Sequence, residues 1–143
     1  MTIPRGFRNN NPGNLRITGM AWQGKVPVEQ NTDKAFEQFV SLEYGLRAMI
    51  VVLRTYIKRK GLDTIEKIIP VYAPATENDV EAYIQVVSLI SGLQRDAVID
   101  FTYDDMHRLV HAMVYHENGR ALPNGVFDKA WAMLFPKSKE ATT

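Results

Sequence analysis

Between Ser41 and Gly61 the sequence places Leu42, Leu46, Met49, Ile50, Leu53 and Ile57 three or four positions apart. That spacing winds one apolar stripe along a helix, with Ser41 suited to cap its start and Gly61 to end it. A helix this long must sit at the centre of a small domain, and the other apolar segments have to pack on it.

Those segments are also helical in pattern. Asp63-Thr64-Ile65-Glu66 has the spacing of a capping box and opens a short helix that is expected to end near Pro70. Thr76-Glu77-Asn78-Asp79 opens another, carrying Val80, Tyr83, Ile84 and Val87 on one face and ending near Gly92. Thr102-Tyr103-Asp104-Asp105 opens a third, with Met106, Leu109, Val110, Met113 and Val114 as its apolar face. A last helix over 124–134 carries Phe127, Trp131 and Leu134. The first forty residues differ, being rich in Asn, Gly and Pro around short apolar pieces such as Leu15-Arg16-Ile17 and Val26-Pro27-Val28. The fold expected is mainly α: about five helices around a core, with a small irregular lobe holding a β-hairpin at the N-terminus.

With 143 residues, 45% of them hydrophobic and 23% charged, the chain has material for one globular domain and not for two. That domain is expected to span 1–136, with 137–143 as a flexible tail. No internal repeat is evident. No stretch approaches the roughly 18 consecutive apolar residues of a membrane span, and Met1-Thr2-Ile3-Pro4-Arg5 lacks the apolar region of a secretory signal. Synthesis in a bacterial cytoplasm, without insertion into a membrane, is the expectation. The absence of cysteine excludes disulfides, thiol nucleophiles and cysteine-ligated zinc. A net charge of +1 argues against nucleic acid as a partner, and the basic run Arg54 to Lys60 reads as a helix C-terminus whose cations complement the helix dipole.

Two features carry chemistry. Glu117 follows an apolar-faced helix and precedes Asn118-Gly119, a common exit from a helix through a left-handed residue. In a last turn, the negative end of the helix dipole and partial burial both disfavour ionisation, which is what a proton-donating acid in glycoside cleavage requires. The same position also suits a plain solvent-exposed glutamate. The second feature is Arg8-Asn9-Asn10-Asn11-Pro12-Gly13-Asn14-Leu15-Arg16, followed by Trp22-Gln23-Gly24. Amides that donate and accept at once, here Asn10, Asn11 and Asn14, suit hydroxyl and acetamido groups, and the Trp22 indole suits a sugar ring. The same residues also read as turn formers beside a core tryptophan. Tyr72, before Ala73-Pro74, either lines a cleft as a donor or sits in a loop between helices. Glu77 and Asn78 are explained by helix capping.

Metal and triad chemistry fit less well. His107 and His111 stand four apart and His116-Glu117 follows, but the position three residues beyond the glutamate, where a zincin needs a histidine, holds Arg120, and no serine lies in a nucleophile elbow. No metal or cofactor is expected.

The opening Arg5-Gly6-Phe7-Arg8-Asn9-Asn10-Asn11-Pro12-Gly13-Asn14-Leu15 resembles the start of a family of phage and prophage proteins described as virion-associated or lysozyme-like. The likeness continues through Trp22-x-Gly24, Ala35-Phe36-Glu37-Gln38-Phe39, Glu43-x-Gly45-x-Arg47-Ala48, Tyr72-Ala73-Pro74, Glu77-Asn78-Asp79 and Glu117-Asn118-Gly119. More distantly, the chain resembles flagellar-type β-N-acetylglucosaminidases, which place a catalytic glutamate at the end of an apolar helix ahead of the asparagine-rich turn. Here the order is reversed, as in a circular permutation.

The resemblance implies a lysozyme-like α+β fold and a peptidoglycan-degrading glycosidase. Such an enzyme is a muramidase, a glucosaminidase or a lytic transglycosylase, with Glu117 as general acid. Glu29 is the first candidate for a second carboxylate, ahead of Asp33 and Glu43. Asn10, Asn11, Asn14, Trp22 and Tyr72 are then substrate-binding residues. It further implies action on the periplasmic wall after delivery by lysis, a virion or a secretion system, with components of these as partners. The alternative is a virion or secretion-system structural module that binds cell wall without cutting it.

Overall fold

The computed structural model describes residues 2–76 and 78–136. The expected tail 137–143 and Glu77 lie outside the described residues. The fold is mainly α, as the apolar spacing predicts. Six α-helices follow in order among the described residues: α1 (Arg5–Arg8), α2 (Leu42–Arg59), α3 (Ile65–Tyr72), α4 (Val80–Ser91), α5 (Tyr103–Asn118) and α6 (Val126–Leu134). None is long and apolar enough to cross a membrane.

Helix α2 is the centre. Leu46, Met49, Ile50 and Leu53 are completely buried, and they meet Ile65, Ile68 and Ile69 of α3, Tyr83 and Val87 of α4, and Met106, Leu109, Val110 and Met113 of α5 in one core. Side-chain caps fix most helix starts: Ser41, Thr64, Asp79 and Thr102 each accept the backbone N–H of the residue three positions on. Gly92 and Gly119 close α4 and α5 in the left-handed conformation that a glycine adopts without strain.

Three boundaries differ from the sequence expectation. Thr64, not Asp63, caps α3, and the helix runs two residues past Pro70, which costs one intrahelical hydrogen bond but carries Tyr72 to the surface of the core. Helix α4 starts at Val80 rather than at Thr76, because Asp79 takes the cap while Asn78 turns back to donate to the Pro74 carbonyl. Helix α6 begins at Val126, after a left-handed Gly125.

The N-terminal lobe is irregular, as expected, but its hairpin does not form. Instead of strands, two isolated antiparallel bridges pair Arg16 with Phe36 and Lys25 with Phe39. Side-chain amides and carboxylates take the place of a strand ladder. Asn31 Oδ1 accepts the backbone N–H groups of Asp33 and Lys34, and its Nδ2 donates to the Phe36 carbonyl. Asp33 receives a bidentate ion pair from Arg5 at 2.7 and 2.8 Å, the Asn9 amide, and the N–H groups of Ala35 and Phe36. Lys25 sits 3.3 Å from the fully buried Glu37 carboxylate.

The lobe docks on α2 at Gly45. A Cβ there would collide with the Asn10 carbonyl oxygen, so the asparagine-rich turn lies directly on the helix backbone. Gly13 makes a second close approach, against Met49 and the Tyr72 hydroxyl.

Candidate active site

The docked lobe and the helices enclose a cleft of about 460 Å³, whose walls include Asn14, Arg16 and Trp22 from the lobe, Tyr56 from α2, Tyr72 and Asn78 from the α3–α4 region, and Glu117. Its volume is that of a small-ligand site.

Glu117 lies in the last turn of α5. Its Oε1 accepts from Asn14 Nδ2 at 2.9 Å and its Oε2 accepts from the Tyr83 hydroxyl at 2.8 Å. Burial raises its pKa above the usual carboxyl value, and the two hydrogen bonds, which favour the carboxylate, offset only part of that rise. The result is a carboxyl group held from two sides, on a cleft wall, with an increased tendency to keep its proton.

Each partner has a structural cause. Asn14 sits at a left-handed φ of +52°, which asparagine tolerates better than most residues, and this turns its amide toward Glu117. Tyr83 is fully buried in the apolar face of α4, so its hydroxyl needs a polar partner, and Glu117 supplies it. Burial, followed by the nearby Glu117 charge, pushes the Tyr83 and Tyr72 hydroxyls well above the usual phenol range. His116, adjacent in sequence, stacks on Tyr83 with ring centres 3.9 Å apart, and burial lowers its pKa. Asn118 fixes the helix end to the lobe by donating both to the Pro12 carbonyl and to the Val114 carbonyl of its own helix.

Of the residues predicted from sequence, Glu117, Asn14, Trp22 and Tyr72 converge on the cleft. The others do not. Asn10 donates to the Phe39 carbonyl, and Asn11 is completely buried, donating to the carbonyls of Leu15 and Glu37 and accepting the Leu15 N–H. Both amides hold the turn together, and neither residue lines the cleft. Glu29 is exposed on the short 3-10 helix Val28–Gln30 and is not among the residues lining the cleft. Asp33 is tied up by Arg5 and the backbone, which hold its carboxyl below the usual carboxylate range. Glu43 stands in the first turn of α2, where a negative charge complements the dipole.

Tyr72 reaches the cleft, but its hydroxyl donates to the Gly13 carbonyl at 2.6 Å rather than standing free for a ligand. Among the described residues that line the cleft, Glu117 is the only carboxylate. Sequence reasoning missed Tyr83, and the available signal was a hydroxyl on an otherwise apolar helix face. His107 and His111 stack on each other, with ring centres 4.1 Å apart, and face Phe127, and no cluster of three His, Asp or Glu side chains suited to a metal occurs among the described residues.

No family model matches the sequence. A curated relative does: the chain is 40% identical over 119 residues to Protein P5 of Pseudoalteromonas phage PM2, an alignment that covers 80% of this chain and 71% of that protein. The chain belongs to the Protein P5 family. The name Protein P5 states no activity.

Proposed function

We propose that this chain cleaves the β-1,4-linked glycan strands of bacterial peptidoglycan with Glu117 as the general acid. The observation that carries the reading is the state of Glu117: a carboxyl group inside a cleft, its pKa raised by burial, and fixed by Asn14 and Tyr83. An acid that must protonate a glycosidic oxygen near neutral pH needs that rise, and it needs to be held still. Trp22 offers a half-buried aromatic face on the same cleft for a sugar ring.

Protonation of the leaving oxygen produces a positively charged, oxocarbenium-like centre that needs a second group. Glu29 does not reach the cleft, and no other carboxylate among the described lining residues does. In this reading the second group is the substrate's own acetamido or hydroxyl oxygen, which closes on the anomeric carbon as the glycosidic bond breaks; a hydroxyl gives up its proton to the Glu117 carboxylate left by the first transfer. Kinship to a phage protein fits delivery to the periplasmic wall by lysis or in a particle.

Turbidity of Gram-negative cells with a permeabilised outer membrane tests the reading. Wild type is expected to clear them, and folded Glu117→Gln is not. Failure of folded wild type to clear them between pH about 5 and 8, the range a raised carboxyl pKa serves, would instead favour a wall-binding or virion structural module.

A further inference from the structure

Two buried side-chain oxygens beside the site lack hydrogen-bond partners: Asn14 Oδ1 and Asn118 Oδ1. Both stand against the same point of the lobe. The position a Cβ would take on Gly6 is 3.1 Å from Asn14 Oδ1, and Asn118 Oδ1 lies closer still. Two acceptors facing one spot, both out of water, is a costly arrangement that a single donor between them would relieve.

Asn118 cannot supply that donor, since its Nδ2 is engaged by the carbonyls of Pro12 and Val114. Its Oδ1 is therefore a fixed, unfilled acceptor. Asn14 can supply it. Its backbone is held by the Asn11 carbonyl, which accepts the Asn14 N–H at 2.9 Å, but its carboxamide has only one partner, Glu117. A half-turn of that carboxamide exchanges two groups of nearly equal size.

We propose that Asn14 is a positioning residue for Glu117, its carboxamide turning over by half a turn when Glu117 gains a proton, so that Oδ1 accepts from the carboxylic acid and Nδ2 donates to Asn118 Oδ1. With Glu117 ionised, Nδ2 donates to the carboxylate and both Oδ1 atoms are unfilled. With Glu117 protonated, the turned amide leaves neither unfilled. No covalent bond changes, and the proton on Glu117 comes from solvent. The turned state favours the protonated acid and fixes which carboxyl oxygen bears the proton, while Tyr83 continues to donate to Oε2.

The charged and titratable groups around Glu117 are Tyr83 from α4, Tyr72 from α3, Tyr56 from α2, Arg16 from the lobe, and His116 on α5 itself. Burial raises the pKa of all three tyrosines, so His116, with its lowered pKa, is the one whose titration must be followed separately. As a device of acid catalysis the turnover rests on the reading of Glu117 given above. As a property of the fold it does not, and its test reads no activity.

The test is nuclear magnetic resonance on the full chain. In wild type, the cross-relaxation contact between the Asn14 side-chain amide protons and Gly6 Hα is expected to be stronger below the Glu117 titration midpoint than above it. In Asn118→Ala the turned amide loses its acceptor, so the Glu117 midpoint is expected to fall, by up to about one pH unit. An amide fixed as a donor to Glu117 makes no bond to Asn118 and predicts an unchanged midpoint. A contact of constant strength at every pH, or a midpoint that stays or rises in Asn118→Ala, overturns the proposal. If that variant does not fold, the wild-type contact decides alone.

Discussion

Asn14 donates a 2.9 Å hydrogen bond to Glu117 across 103 positions of sequence, joining the irregular lobe to the last turn of α5. Neither residue has this environment in its own segment. The site exists only while the lobe is docked on the helices, so residues that dock the lobe should control the acid from a distance.

Gly45 is the sharpest case. In the interior of α2 an alanine would ordinarily stabilise the helix by up to about 1 kcal/mol. Here its Cβ would strike the Asn10 carbonyl oxygen, which is backbone and cannot swing away. Gly45→Ala is expected to destabilise the fold by about 1–3 kcal/mol and to loosen the lobe, read as a lower thermal midpoint and faster amide exchange in residues 9–40.

Tyr83→Phe removes the hydroxyl that supports the Glu117 carboxylate while keeping the ring in the core. The ionised form loses a hydrogen bond, so the Glu117 midpoint should rise, and the alkaline limb of any pH–rate profile should move up with it. The stability cost should be about 1 kcal/mol at pH values where Glu117 is ionised. Side-chain carbon shifts of Glu117 check the direction, and a downward move would contradict it.

Burial raises the Glu117 pKa in the folded state above its unfolded value. Such a group contributes its full stabilisation below the unfolded pKa and loses it as pH rises through the folded pKa, where a buried carboxyl must ionise. Glutamine never ionises. The thermal midpoint of Glu117→Gln relative to wild type is therefore expected to improve as pH rises from the unfolded carboxyl value, about 4, through the higher folded one. A constant difference across that window would mean that Glu117 is not strained.

Asp33 behaves in the opposite sense. Its folded pKa is depressed, first by the Arg5 hydrogen bonds and then by Asn9 and the backbone. Its contribution is present above the unfolded value of about 3.9 and is lost as pH falls through the folded value. Asp33→Asn should be less stable than wild type at pH 7, with the gap narrowing below pH about 4. Thermal melts of both proteins over that range measure it.

The helical framework was legible because each long helix carries its own pattern. Leu46, Met49, Ile50 and Leu53 repeat at helical spacing and occupy the core of the fold, and Thr102 and Gly119 mark α5 at both ends. Glu117 was legible from the same local logic. The lobe was not, because its order comes from side chains bonding to distant backbone, such as Asn11 to Glu37 and Asn10 to Phe39, and no periodicity records those pairs. That is also why Asn10 and Asn11 looked like sugar-binding amides: turn-holding and ligand-holding asparagines share one chemistry. Glu29 failed for a related reason, since sequence proximity to Trp22 did not translate into facing the same cleft.

The proposal that Glu117 is the acid of a glycan-cleaving cleft is tested by incubating purified peptidoglycan with folded wild type and folded Glu117→Gln and analysing the soluble products by mass spectrometry. Wild type is expected to release glycan fragments broken at β-1,4 bonds and the variant none. Equal release by both proteins, or release by neither, would rule out Glu117 in that role.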